Sequence, residues 1–112
     1  MKQPTINILG TDYTISCETE SENPSMTGNS GLCEPYSKRI ILDTSDSGVN
    51  VVEKYDVYCH KVLRHEAFHA LFFEAGWQKY YLDEDLIEAL AVLYPKMKEI
   101  MDKLDTMEII KK

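Results

Sequence analysis

Two histidines four residues apart, His65 and His69, enclose a glutamate in the pattern H-E-x-x-H, in the middle of a predicted helix. In a helix, positions i and i+4 differ by about 40° around the axis, so both imidazoles leave one face and can bind a single Zn²⁺. Glu66 then lies beside the metal ion, where a general base is needed to take a proton from the attacking water. The pattern therefore predicts a helix that packs against another element carrying a third ligand.

The helix that bears this pattern is predicted to run from about Glu53 or Lys54 to Ala75 and to end at Gly76. Its apolar residues are spread around most of the circumference. They are Val57, Val62, Leu63, Ala67, Phe68, Leu71, Phe72 and Phe73. Because such a helix is covered on several sides, we expect it to lie in the core, with its histidines in apolar surroundings.

The third ligand is predicted to come from a second helix, where Glu88 is the only charge in a run of apolar and aromatic residues. Burying an unpaired carboxylate costs several kcal/mol unless something compensates it. A dication held by two neutral histidines would do so, and we predict Glu88 as that ligand. Glu84, one turn earlier on the same face, is the alternative ligand or an acceptor for a histidine N–H. Asp85 is a further candidate for that supporting role.

The first half of the chain is predicted to form strands. Residues 5–17 alternate in the manner of a hairpin, and strands resume at about 31–34 and 38–43. Polar loops are expected at 18–30 and 44–48, followed by a short apolar piece at 49–52.

The second half is predicted to be helical after the first helix as well. Asp83 is an N-cap candidate for a helix through Tyr94, Pro95 should end or kink it, and residues 96–104 form a third amphipathic segment. The fold class is therefore predicted as α+β, with a small antiparallel twisted sheet followed by the helix of the motif and one or two further helices. We expect a single domain over residues 1–112, mainly sheet in 1–52 and mainly helical in 53–112.

Composition excludes some partners. With 12 basic and 19 acidic residues the net charge is -7, which does not suit binding to a phosphate backbone, so we expect no nucleic acid partner. Three cysteines without C-x-x-C spacing indicate reduced thiols rather than a disulfide framework. No stretch has the length of a membrane span or of a signal-peptide core, so we expect no membrane partner and a cytoplasmic protein.

The order of the strands, the helical stretch RHEAFHALFFEAG and the later stretch DEDLIEALA together resemble the small phage- and prophage-encoded zincin-like metallopeptidases, near the ImmA/IrrE-like group. The likeness covers roughly residues 5–95. It implies a minimal gluzincin-type core, in which a small twisted sheet packs on the active-site helix and the following helix supplies the third ligand. For a phage-encoded protein it also implies the host cytoplasm as the place of action.

By this resemblance His65, His69 and Glu88 correspond to the ligands of one catalytic zinc ion, and Glu66 corresponds to the catalytic glutamate. One position departs from the pattern. Thermolysin-like gluzincins place an Asp that braces a histidine four residues after the third ligand, and here that position is Val92.

The predicted function is zinc-dependent hydrolysis of peptide bonds in a protein or peptide substrate, with Glu66 as the general base. The alternative is a non-catalytic zinc-containing module that binds a host or phage protein, and hydrolysis of a non-peptide amide is a third option. An active enzyme needs an open fourth metal position facing a cleft, whereas a structural site is closed by a fourth protein ligand. The sequence leaves the substrate and the oligomeric state open.

Two further features of the site are expected from the sequence. The oxyanion of the tetrahedral intermediate needs a stabilising group, and the candidates, which the sequence does not rank, are Tyr80, Tyr81, Tyr94 and His60. A peptide substrate is expected to add as an extended strand at an exposed sheet edge near residues 38–43.

Overall fold

Four strands are followed by three helices in the computed structural model, which describes residues 3–44 and 55–109. The elements are β1 (Thr5–Ile8), β2 (Thr11–Glu18), β3 (Gly31–Glu34), β4 (Arg39–Asp43), α1 (Tyr55–Glu74), α2 (Gln78–Tyr81) and α3 (Glu84–Asp105). The predicted α+β class is confirmed. The apolar piece predicted at 49–52 and most of the loop before it lie outside the described residues. None of the described helices combines the length and the apolar character needed to cross a membrane.

The sheet has the strand order β1-β2-β4-β3 and is mixed, because β2 and β4 run parallel while the other two pairs are antiparallel. The prediction of an antiparallel sheet is therefore wrong. The physical reason lies in β4, whose three successive residues Ile40, Ile41 and Leu42 are all buried. Successive side chains of a strand point to opposite faces, so β4 is covered on both faces and suits an interior position.

The interior position of β4 also overturns the expected substrate edge at residues 38–43. Both neighbours of β4 are strands, so its backbone groups are already paired within the sheet. Among the described residues the outer strands are β1 and β3. The half-buried β3, which packs against α1, is the outer strand closer to the motif.

The predicted hairpin is confirmed as β1 and β2, joined by Leu9 and Gly10. Both residues have positive φ, 51° and 95°, as a two-residue turn of the primed type requires. The hairpin places Ile8 and Tyr13 in a buried cluster with Ile40 of β4 and with α1. The sheet and the helix of the motif therefore share one core.

A second link between α1 and the sheet is a buried network around Glu74, near the end of the helix. Its carboxylate accepts hydrogen bonds from the hydroxyls of Thr11 (3.0 Å) and Tyr13 (2.7 Å) and from Lys38 Nζ (2.7 Å). The hydrogen bonds from Lys38 and Tyr13 lower the pKa of Glu74 below its usual range. The network joins α1 to β2 and to the turn before β4.

We expect the substitution Glu74→Gln to lower the free energy of unfolding by roughly 2–4 kcal/mol at pH 7, since it removes the charge that three buried or half-buried donors share. A carboxyl with a lowered folded-state pKa stabilises the fold above the pKa of the unfolded chain, and this contribution is lost as the pH falls through the folded-state pKa. The difference in the free energy of unfolding between the wild type and Glu74→Gln should therefore disappear in acid. Urea unfolding over a pH series measures it, with exposed Glu99→Gln as the matched control. A difference in unfolding free energy that grew in acid would contradict this prediction.

The helix α1 ends as predicted, at a glycine in the left-handed region: Gly76 has φ 76°. The short α2 that follows was not predicted. The N-terminal part of α1 is described from Tyr55 onward, so the predicted start at Glu53 or Lys54 lies outside the described residues.

The two helical segments predicted on either side of Pro95 are one continuous helix, α3, and its N-cap is Asp83 as expected. A proline has no N–H, so Pro95 leaves the carbonyl of Ala91, four residues earlier, without its helical donor. Arg64 of α1 supplies the missing bond, because its Nε donates to the Ala91 carbonyl at 2.9 Å. This contact from another helix explains why α3 continues where the sequence predicts an end or a kink.

Candidate metal centre

A cleft of about 400 Å³ lies where α1, the segment leading into β3 and the start of α3 meet. His65, Glu66 and His69 line it from α1, and Glu84 and Glu88 line it from α3. The four-residue spacing on α1 places both imidazoles on one face, with ring centroids 5.1 Å apart. The structure therefore brings the residues of the predicted site to one cleft.

Three side chains of this cleft converge on one point. Glu84 Oε2 lies 3.0 Å from His65 Nε2, and Glu84 Oε1 lies 2.8 Å from His69 Nε2. One ligand atom from each of the three residues lies within 4.8 Å of the other two. Ligand atoms bonded to one ion at about 2.0–2.2 Å stand roughly 3.4 Å from each other, so this spacing fits a metal ion.

The other ring nitrogens of the two histidines have acceptors of their own. His69 Nδ1 lies 2.7 Å from the carbonyl oxygen of Tyr81, which can only accept, so Nδ1 carries the proton. His65 Nδ1 lies 2.8 Å from Glu88 Oε1, so both ring nitrogens of His65 face a carboxylate. In the neutral form of His69, the Nε2 lone pair points at Glu84.

An Nε2 lone pair and a carboxylate oxygen repel each other when no positive charge lies between them. A metal ion shared by all three residues would remove this repulsion. Two imidazoles and a carboxylate are one of the ligand sets of catalytic zinc. The three residues could therefore hold a metal ion.

No protein-family model, curated protein or solved structure matches this chain. We therefore infer the function of the cleft from its own residues. Two of the three residues that converge, His65 and His69, were singled out by the sequence pattern. The third, Glu84, was the alternative to the predicted ligand.

Glu88, the predicted third ligand, lies in the cleft but not in the converging group. Its two carboxylate oxygens contact His65 Nδ1 and, at 3.0 Å, Lys61 Nζ. Partial burial acts to raise the pKa of Glu88, but the hydrogen bonds from His65 and Lys61 together lower it. Glu88 therefore orients the ring of His65 from the side opposite to Nε2. Asp85, the other candidate, is exposed and does not line the cleft.

Glu66 is buried, with 8% of its surface exposed, beside the two histidines. Burial raises the pKa of its carboxyl to about 7. A positive charge on His65 opposes this shift, and the carboxylates of Glu84 and Glu88 add to it. A carboxyl that titrates near neutral pH can both take and return a proton there.

Gly31, the first residue of β3, makes the close approach of that strand to α1 possible. A Cβ atom at this position would lie 2.5 Å from Val62 Cγ1 and 3.2 Å from Glu66 Oε2. The sequence contained a signal for this contact, because an isolated glycine in a strand often marks a site where another group approaches the backbone.

We expect Gly31→Ala to destabilise the fold by about 1–3 kcal/mol, since the added methyl group overpacks the contact between β3 and α1. Val62→Ala removes the nearest atom, so the two substitutions should couple favourably in a double-mutant cycle. Urea unfolding of the two single variants and the double variant gives the coupling energy. Strictly additive effects would show that the methyl group is accommodated without contacting Val62.

One of the four oxyanion candidates, Tyr81, lines the cleft. Tyr80 packs against Phe72 and Trp77, Tyr94 lines a separate apolar pocket, and His60 is exposed on α1. Which group stabilises an oxyanion stays a prediction.

The sequence did not single out Tyr58 and Lys61, which also line the cleft. Tyr58 donates a hydrogen bond to the hydroxyl of Ser30, at the start of β3. Lys61 precedes His65 by one helical turn, and that spacing was the available signal for a residue on the same face.

The three cysteines are free thiols. Cys33 of β3 lines the cleft, and burial, followed by the nearby charge of Glu66, raises the pKa of its thiol to about 12. A thiol in this state is a poor nucleophile at neutral pH, and Cys33 does not belong to the group of His65, His69 and Glu84.

Proposed function

We propose that this protein is a zinc-dependent peptidase in which His65, His69 and Glu84 hold the metal ion and Glu66 is the general base. The observation that carries the proposal is the convergence of both Nε2 atoms on the Glu84 carboxylate, beside the buried carboxyl of Glu66. A zinc ion bound there would polarise a substrate carbonyl and lower the pKa of a water molecule.

Glu66 has the position to accept the proton of the attacking water and to deliver it to the leaving amine. Its burial keeps the carboxyl away from bulk solvent, so the exchanged proton stays at the reacting atoms. Glu88 acts indirectly, because its hydrogen bond to His65 Nδ1 fixes the tautomer and orientation that present Nε2 to the metal site.

The choice of Glu84 as third ligand also accounts for the departure at Val92. Four residues after Glu84 comes Glu88, which braces a histidine, whereas four residues after Glu88 comes a valine. The pair Glu84 and Glu88 therefore matches the ligand-and-brace pattern that the resemblance to gluzincins implies, with Glu in the place of Asp.

The substrate is proposed to be an extended peptide that pairs with β3. The N–H of Asp43 donates to the carbonyl of Ser30. Hydrogen-bonded and non-hydrogen-bonded pairs alternate along an antiparallel ladder, so the backbone groups of Gly31 and Cys33 point away from β4. A peptide strand added at this edge would pass along the cleft that holds Glu66.

The arrangement favours hydrolysis over a closed, purely structural site. Within residues 3–44 and 55–109, no fourth His, Cys, Asp or Glu joins the group of His65, His69 and Glu84. All three line a cleft, so the side toward the cleft is available to water and substrate.

The proposal is tested by Zn²⁺ titration of chelator-stripped protein, followed by digestion of a mixed peptide library with mass-spectrometric readout. We expect one Zn²⁺ per chain, and cleavage that is lost on stripping and restored by Zn²⁺. Binding of Zn²⁺ without cleavage would support the protein-binding module instead. Absence of Zn²⁺ binding would reject both readings of the site.

A further inference from the structure

The helix α3 carries an apolar stripe outside the cleft, which is half-buried at Leu86, Leu90 and Met97 and exposed at its other positions. Its members recur with alternating spacings of four and three residues. They are Leu86, Leu90, Leu93, Met97, Ile100 and Leu104. About half of the side-chain surface is exposed at Leu93 (53%), Ile100 (56%) and Leu104 (52%). The spacing is that of the seam along which two helices pair in a coiled coil.

The stripe lies on a separate face of α3. Ile87 and Ala91 are fully buried and mark the face turned to the core, and at 100° per residue the stripe is centred about 120° away from them. Glu84 and Glu88 lie on the face nearly opposite to the stripe. A partner bound along the stripe would therefore leave the cleft uncovered.

We propose that a second copy of this chain docks on this stripe, forming a two-fold pair of parallel α3 helices. A two-fold interface brings the same surface of both copies together, and a seam with four–three spacing is complementary to itself. Each exposed stripe residue, together with the adjoining Tyr94 and Met101, offers on the order of 100 Å², so two copies would bury roughly 1,000 Å², the lower range of specific interfaces.

The charges beside the stripe select the parallel orientation. Lys96 and Lys103 of α3 flank one side of it. In a parallel pair each of these positions faces the position five residues later in the second copy, which for Lys96 is the apolar Met101, so the lysines do not meet. In an antiparallel pair the lysine side faces itself, and like charges meet.

Sedimentation equilibrium of the full chain tests the proposal. We expect a dimer for the wild type and an at least 100-fold weaker association for Ile100→Glu, because the variant would place two charges in the seam. Val92→Glu is the matched control, since Val92 is 54% exposed on the same helix but lies outside the stripe. Circular dichroism should show the same fold for all three proteins, as both positions are exposed in the single chain.

Charge exchange tests the orientation. Lys103→Glu should leave the association nearly unchanged, because in a parallel pair position 103 of one copy does not face Lys96 or Lys103 of the other. Strengthening by Lys103→Glu would overturn the parallel orientation. A wild type that stays monomeric throughout the micromolar range, or a dimer that Ile100→Glu and Val92→Glu affect equally, would overturn the proposal as a whole.

Discussion

Glu66→Gln is expected to lower peptide cleavage by about 100- to 10,000-fold while Zn²⁺ binding is retained. The amide keeps the shape of the side chain and cannot accept the proton of the attacking water. Because Glu66 is not in the converging group of His65, His69 and Glu84, its replacement leaves the three proposed ligands in place. Cleavage rates from the peptide library and the Zn²⁺ stoichiometry of the same preparation measure both halves of the expectation.

Thermal unfolding distinguishes a variant that has lost its fold from one that has lost only its catalytic base. Burial raises the pKa of Glu66, which means that the ionised carboxylate is unfavourable in the folded state, and the neutral amide relieves that cost. The thermal midpoint of Glu66→Gln should therefore equal or exceed that of the wild type at pH 8 when both proteins are stripped of metal. The exposed Glu99→Gln on α3 is the matched control and should cleave at the wild-type rate. Unchanged cleavage in Glu66→Gln would remove Glu66 from the mechanism.

The second large effect concerns the third ligand. Glu88→Ala should weaken Zn²⁺ binding by about 10- to 100-fold, the range found for carboxylates that support a ligating histidine. Glu84→Ala should weaken binding further than that, because it removes a donor to the ion itself. Competition with a chromogenic chelator gives both affinities, and Asp85→Ala, an exposed neighbour, is the control.

The order of these two affinities decides between the two assignments. If Glu88→Ala is the more damaging substitution, Glu88 is the third ligand, as the sequence predicts, and Glu84 has a supporting role. Equal and small losses in both variants would show that neither carboxylate binds the ion.

Local features of the fold could be predicted because their causes are local. The helix-ending Gly76 and the N-cap Asp83 act through their own backbone or through side chains within a few residues. The histidine pair of the motif is likewise set by helical geometry alone. These elements were predicted with their types correct.

The features that were not predicted depend on contacts between distant segments. The continuity of α3 requires Arg64, which is 27 residues before the carbonyl that it satisfies. The interior position of β4 follows from burial on both faces, and the run of Ile40, Ile41 and Leu42 was a sequence signal for it that the prediction did not use.

The two carboxylates of α3 show the limit of reasoning from one helix. Glu88 has apolar neighbours in sequence, which favoured it as the compensated charge, but in space Lys61 and His65 provide that compensation. Glu84 is more exposed than Glu88, yet it is the carboxylate that contacts both Nε2 atoms. Which of two glutamates one turn apart faces a histidine pair depends on how α3 is placed against α1.

The hydrogen bond between Arg64 and the Ala91 carbonyl separates α3 into an N-terminal part that is tied to α1 and a C-terminal part that is not. Arg64 is the neighbour of His65, so the bond holds the N-terminal half of α3, with its carboxylates, to the helix that carries the histidines. Beyond Pro95 the helix is almost entirely exposed and lacks this restraint. We therefore expect bending of α3 to fall at or beyond Pro95 and to leave the contacts of Glu84 and Glu88 with the histidines unchanged.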